Sequence, residues 1–267
     1  MKKIIHLSDL HIGYEDMDRR FKCIVDHMLL TLKPADDFVV VITGDLVHEA
    51  SLGHFRKVKS YLDELEEAGM QVLVVPGNHD YGSKHISSKK YVRMFKEVFF
   101  DNPDLPYPKL DIIDTIAFLG LDSMADELHW HDRIFAEGEL GEAQLARLES
   151  RLNSHLVGEA EHVVVYLHHH PFQVNNYFNR LKDSEAFGEI IKSHNQQIDL
   201  LLFGHNHQGR KWNGVWGVSR CLDAGSSTTM DNSAGYHRII DLSNPDPRHD
   251  YDGDFHCNYL PQDEWPE

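Results

Sequence analysis

The chain has 267 residues, 41% of them hydrophobic, which suits one large α/β domain or two small ones with a buried core. Its formal charge of −17, with no dense run of Lys and Arg, disfavours a protein that grips a long nucleic acid. No apolar run approaches the roughly 20 residues of a membrane span, and Cys23, Cys221 and Cys257 are odd in number and far apart, so a reduced, cytoplasmic protein with no membrane partner is expected.

Residues 3–8 read as a strand that ends at Asp9-Leu10-His11. Phe21, Ile24, Val25, Met28, Leu29 and Leu32 recur at helical spacing over 18–33, and Pro34 stops that helix. The β-branched run 38–42 enters Gly44-Asp45. Phe55, Val58, Tyr61, Leu62 and Leu65 predict a helix over 51–68, with Ser51 as its cap and Gly69 just past its end. Residues 71–75 make a third strand, followed by Pro76-Gly77-Asn78-His79-Asp80. This β-α-β-α-β order implies parallel pairing, with a ligand crevice beyond the carboxyl ends of the strands.

From 80 to 108 the pattern loosens into an excursion that can cap a site, with a short helix near 88–100. Strands follow at 116–121, ending at Asp122-Ser123, and at 162–167, ending in His168-His169-His170. Helices are expected at 139–156 and 183–195, and 172–182 is a second cap segment. Residues 200–203 form a strand that ends in Gly204-His205-Asn206-His207. Short β elements at 217–222 and 236–241 suggest a second, more antiparallel sheet. Residues 244–267, rich in Asp, Pro and His, read as an extended C-terminal tail beyond a domain of residues 1–243.

Five motifs thus follow strand-like runs, and their carboxylates, imidazoles and amide make a ligand set for two divalent metals. On an extended segment residues two apart point the same way, so Asp9 and His11 are expected to reach one cation. His205 and His207 share that spacing. The two oxygens of Asp45 can serve two cations. Asn78 offers a neutral amide oxygen, which a purely structural zinc site rarely uses. His79 beside Asp80 can hold one tautomer and give a proton. His129-Trp130-His131 has the H-x-H spacing but follows no apolar strand, and reads as surface or cap.

In this order D-x-H, GD, GNHD, H-H-x-P and GHNH resemble the motif set of the calcineurin-like metallophosphoesterases over residues 5–226. In size and motif style the chain is similar to the small cyclic-nucleotide and glycerophosphodiester phosphodiesterases of that superfamily. The resemblance implies a four-layer αββα sandwich, with two mixed β-sheets flanked by helices. It implies two divalent cations, drawn from manganese, iron, zinc and cobalt. One would be held by Asp9, His11, Asp45 and His207, the other by Asp45, Asn78, His205 and one histidine of the triplet. His168, at the strand end, is preferred and His169 is the alternative.

The implied activity is hydrolysis of a small-molecule phosphodiester. A metal-bridging hydroxide would attack in line, and His79, oriented by Asp80, would protonate the leaving alkoxide. Two divalent cations outweigh two carboxylates and one hydroxide, so the centre attracts an anionic ester despite the acidic chain. Asp9-Leu10-His11-Ile12-Gly13 and Gly44-Asp45-Leu46-Val47-His48-Glu49 also resemble the double-strand-break repair nucleases, against which stand the charge and the lack of room for a DNA-capping domain. A non-catalytic scaffold is a third reading, and its signature would be lost ligands. His48, Asp122-Ser123 and Gly225-Ser226 are expected beside the ligands. Tyr81, Trp130, Phe172, Tyr177 and Phe178 offer aromatic surfaces near the pocket, either to stack on a base or to serve ordinary packing.

Overall fold

Apolar strands alternating with amphipathic helices must be covered on both faces. The computed structural model describes residues 2–83, 86–125, 137–172, 180–228, 236–244 and 250–254. In it β1 (Lys3–Leu7), β2 (Phe38–Ile42) and β3 (Gln71–Val74) pair in parallel, with Ile4 opposite Val39 and Val40 opposite Val72. The crossovers are α1 (Met17–Thr31) and α2 (Leu52–Glu67). Ser51 caps α2 by accepting from the His54 amide at 3.1 Å. Two short paired strands, β4 (Gly82–Ser83) and β5 (Ile86–Ser87), precede α3 (Lys89–Phe100).

The second sheet contains β6 (Lys109–Ile113), β7 (Ile116–Gly120), β8 (His162–Tyr166), β9 (Ile198–Phe203), β10 (Lys211–Trp212) and β11 (Arg220–Asp223), in the order β10-β11-β9-β8-β7-β6. Between its strands run α4 (Glu142–Leu152), α5 (His155–Gly158) and α6 (Ser184–Ser193). β12 (Tyr236–Ile240) and β13 (Tyr251–Asp254) return to the first sheet, whose order is β13-β12-β1-β2-β3.

Period-two alternation sorts the strand residues into three cores. Ile5, Val40 and Ile42 pack with Phe21, Ile24, Phe55 and Val58 of α1 and α2. Ile4, Val39 and Val41 point the other way and meet Phe118, Val164, Leu200 and Leu202 between the sheets. Ala117, Val163, Val165 and Leu201 face Leu145, Leu148, Phe187 and Ile191 of α4 and α6. The result is a four-layer αββα sandwich. Among the described residues no helix is long and apolar enough to cross a membrane.

Four details depart from the sequence reading. The stretch 208–243 builds no separate antiparallel sheet. β11 lies parallel to β9 in the second sheet, while β12 lies antiparallel to β1 in the first. Strand β6 escapes the periodicity because Lys109 and Asp111 interrupt its apolar residues. The helix expected over 139–156 breaks at Asn153 into α4 and α5. Within the stretch read as a tail, Tyr251–Asp254 pairs with β12. His129, Trp130, His131, Tyr177 and Phe178 lie outside the described residues.

Candidate metal centre

The five motifs occupy the carboxyl ends of β1, β2, β3, β8 and β9. Backbone hydrogen bonds continue past the strands and lace these ends together. The Asp9 amide donates to the Gly44 carbonyl at 3.0 Å, His11 to Asp45 at 3.0 Å, and Gly204 to His168 at 2.9 Å. Asp9 (φ 54), His11 (φ 47), Asp45 (φ 50), His205 (φ 72) and His207 (φ 52) all take left-handed backbone conformations. Non-glycine residues rarely do so, and such strain gathers at functional sites. The extended geometry expected for Asp9-Leu10-His11 and His205-Asn206-His207 is therefore corrected. The side chains converge because each motif is a tight turn.

Among the described residues three groups of ligand atoms are close enough to hold a cation; one joins His11 to His48 and His79, and the other two gather the expected ligands. Asp9, His11 and His207 form the first of these two and Asp45, His168 and His205 the second. In the first, His207 Nε2 lies 3.1 Å from Asp9 Oδ1 and 3.4 Å from His11 Nε2. In the second, His168 Nε2 lies 3.2 Å from Asn78 Oδ1, 3.2 Å from His205 Nδ1 and 3.4 Å from Asp45 Oδ2. That same Asp45 oxygen is 4.0 Å from His11 Nε2, so it faces both groups. His205 and His207, expected on one side, thus point into different groups. His168 enters the cluster, with its Nδ1–H given to the Thr43 carbonyl at 2.7 Å. His169 turns to Ser123 instead, Nδ1 to Oγ at 2.8 Å.

Two glycines make this approach feasible. A Cβ on Gly77 would stand 2.2 Å from Asp45 Oδ1, and one on Gly44 would stand 2.7 Å from His168 Nδ1. Gly44 also has φ +93, which favours a residue without a side chain.

Divalent cations fit this donor set on chemical grounds. Asp9 and Asp45 are buried, and among the described residues their charge partners are all histidines. Buried carboxylates need a cation or proton nearby. Imidazole nitrogens facing each other at 3.2–3.4 Å repel unless a proton or metal lies between them. Burial disfavours charge on His168, but Asp45 and Asp9 raise its pKa to about 9. The Asp9 carboxylate overcomes burial and raises His207 to about 9. Burial opposes ionisation of Asp9 as well, yet His207 and His168 hold it at about 2. Burial keeps His205 low, at about 3, and His11 at about 4, so both stay neutral and able to donate a lone pair.

His79 stands at the edge of the first group, its ring 4.8 Å from that of His11. Its Nδ1–H donates to the His48 carbonyl at 2.7 Å, which leaves Nε2 to face outward chemistry. Its amide donates to Asp45 Oδ1 at 2.9 Å. Asp80 does not orient the ring as expected. Its carboxylate accepts from the amides of Gly77 (2.8 Å), Val47 (3.0 Å) and Leu46 (3.2 Å), tying the turns after β2 and β3 together. Sequence adjacency could not show this, because two of the three donors, Leu46 and Val47, lie on another turn.

Neighbours that motif reading hardly weighed hold the strained turns. Ser226 Oγ donates to the Asp9 carbonyl at 2.8 Å, and Thr228 Oγ1 donates to Leu10 at 2.8 Å. The Ser227 amide donates to Ser8 at 2.9 Å. Tyr81 is fully buried, its hydroxyl on Asp122 at 2.9 Å, and Phe172 packs against the core beneath α4 and α6, so these aromatics serve packing.

Comparison with known proteins bears on the family and the fold. The sequence pattern of the family described as "Calcineurin-like phosphoesterase" matches residues 2–209. A "Probable cyclic nucleotide phosphodiesterase" of Vesicomyosocius okutanii is 22% identical over 219 residues, covering 78% of this chain and 80% of the relative. A protein of the same description from Synechococcus sp. is 25% identical over 212 residues, covering 77% and 73%. A dimetal phosphatase from Danio rerio shares the fold, with TM-score 0.62, 15% identity, and coverage of 90% of this chain and 93% of that one. A purple acid phosphatase from yellow lupin superposes with TM-score 0.56 and 13% identity, over 89% of this chain and 48% of its own.

Proposed function

The chain belongs to the calcineurin-like phosphoesterase family, a family of metal-dependent phosphoesterases, and on that footing we propose that it hydrolyses a small-molecule phosphodiester of the cyclic-nucleotide or glycerophosphodiester class. The description of two relatives as probable cyclic nucleotide phosphodiesterases supports the diester preference. The observation that carries the reading is the position of Asp45 Oδ2, which faces His168 at 3.4 Å and His11 at 4.0 Å.

In this reading Asp9, His11, Asp45 and His207 hold one divalent cation. Asp45, Asn78, His168 and His205 hold the other. When bound, the pair would supply Lewis acidity, lowering the pKa of water and neutralising phosphoryl oxygens. His79 has the geometry of the leaving-group acid. The His48 carbonyl fixes its tautomer and its exposed edge borders the metal groups. Burial disfavours its charged form, but Asp45 and the His48 carbonyl more than compensate, so its pKa is raised and the proton is available.

Turnover of bis(p-nitrophenyl) phosphate and p-nitrophenyl phosphate, with manganese, iron(II), zinc or cobalt added, tests the proposal. Faster cleavage of the diester is expected. Absence of turnover of both esters with all four metals would reject it, and a monoester preference would reassign the substrate class.

A further inference from the structure

A run of aromatic rings leads out of the metal centre. His11 meets His79 edge-on at 4.8 Å, His79 stacks with His48 at 5.2 Å and 29°, and His48 lies against Tyr14 at 4.5 Å and 36°. Exposure rises along it, from 13% for the His11 side chain to 44% for Tyr14. Of the five exposed large hydrophobic residues among those described, Tyr14 is the one in ring contact with this run. Tyr14 thus offers an amphipathic ring, partly in water, at the outer end of a run of rings that starts at a metal ligand.

The turn presents this ring in a fixed pose. The Tyr14 amide donates to the His11 carbonyl at 3.1 Å, and the Met17 amide donates to the Tyr14 carbonyl at 3.0 Å. Gly13 donates to Asp18 Oδ1 at 2.8 Å, and the Tyr14 hydroxyl hydrogen-bonds Glu15. The backbone that carries the ring is therefore ordered before a ligand settles on it.

We propose that Tyr14 is the platform on which a planar ring of the ester stacks, so that the site selects phosphodiesters bearing a nucleobase over those bearing only glycerol. This rests on the phosphodiesterase reading and narrows it. The ring stands two ring contacts from His79, within reach of a base carried on a ribose phosphate. A glycerol group has no face to offer it. Base–aromatic stacking changes affinity by about tenfold or more on alanine substitution.

The test is a binding measurement that does not depend on turnover. Adenosine 5′-monophosphate and glycerol 3-phosphate carry the same phosphate, with and without a ring. Titration calorimetry of the manganese-loaded protein is expected to show about tenfold tighter binding of the nucleotide. Tyr14→Ala should erase that preference and Tyr14→Trp should keep it. A wild-type protein that binds both alike, or a preference that survives Tyr14→Ala, would overturn the platform. Either result leaves the diester assay to judge the phosphodiesterase reading separately.

Discussion

A left-handed backbone costs an aspartate or histidine about 1–3 kcal/mol, and five of the seven expected cation ligands adopt one. Hydrogen bonds from Ser226 and Thr228 to the Asp9 and Leu10 carbonyls hold the first of these turns. The residue types were readable from five short motifs, because ligand chemistry restricts them to a few donors. Their rotamers and turns were not, since left-handed aspartate and histidine carry no periodic signal. The histidine triplet shows the same limit. Three adjacent imidazoles cannot be ranked by sequence, whereas the Thr43 carbonyl and the Ser123 hydroxyl separate His168 from His169. At this scale His79 gives the sharpest prediction. His79→Ala should slow hydrolysis of an alkyl diester by about 10²–10⁴-fold and affect bis(p-nitrophenyl) phosphate much less, with metal content retained. Equal losses on both esters would remove the leaving-group role.

At the scale of elements, the turn after β3 is fastened to the end of β7. Asp122 accepts from Tyr81 at 2.9 Å and from the Met124 amide at 2.9 Å. Burial raises its pKa to about 6 from an ordinary 3.8. The native state then binds this proton more tightly than the unfolded chain. Its contribution to stability is full below the unfolded pKa and is lost as pH rises from about 4 to about 6. Asp122→Asn should flatten the stability profile across that window, on the order of 2 kcal/mol, as read from urea midpoints at several pH values. An unchanged slope would assign it to other buried carboxyls such as Asp223. The strands and crossover helices that carry the motifs were legible because their apolar runs are continuous. The fastenings were not, since a buried Asp–Tyr pair 41 positions apart leaves no local pattern.

Across the whole molecule, the late strands are divided between the two sheets, and side-chain hydrogen bonds tie them together. Arg238 on β12 of the first sheet is 1% exposed, and its guanidinium donates to the Asp223 and Gly209 carbonyls of the second sheet's side. Gly209 follows His207 by two residues, so the tie also steadies a ligand turn. Arg238→Met should cost about 2–4 kcal/mol of stability by stranding those buried carbonyls, with weaker metal retention. A loss under about 1 kcal/mol would show that the sheets close without it. The sandwich itself was implied by the family resemblance of the motifs, but the return of β12 to β1 could not be anticipated, because antiparallel and parallel partners of a short strand look alike in sequence.

The central claim is that one carboxylate, Asp45, joins two cation sites. Anomalous diffraction from manganese-soaked crystals tests it most directly. Two peaks about 3.5–4 Å apart are expected, one beside Asp9, His11 and His207 and the other beside Asn78, His168 and His205. A single peak, or peaks remote from Asp45, would contradict it.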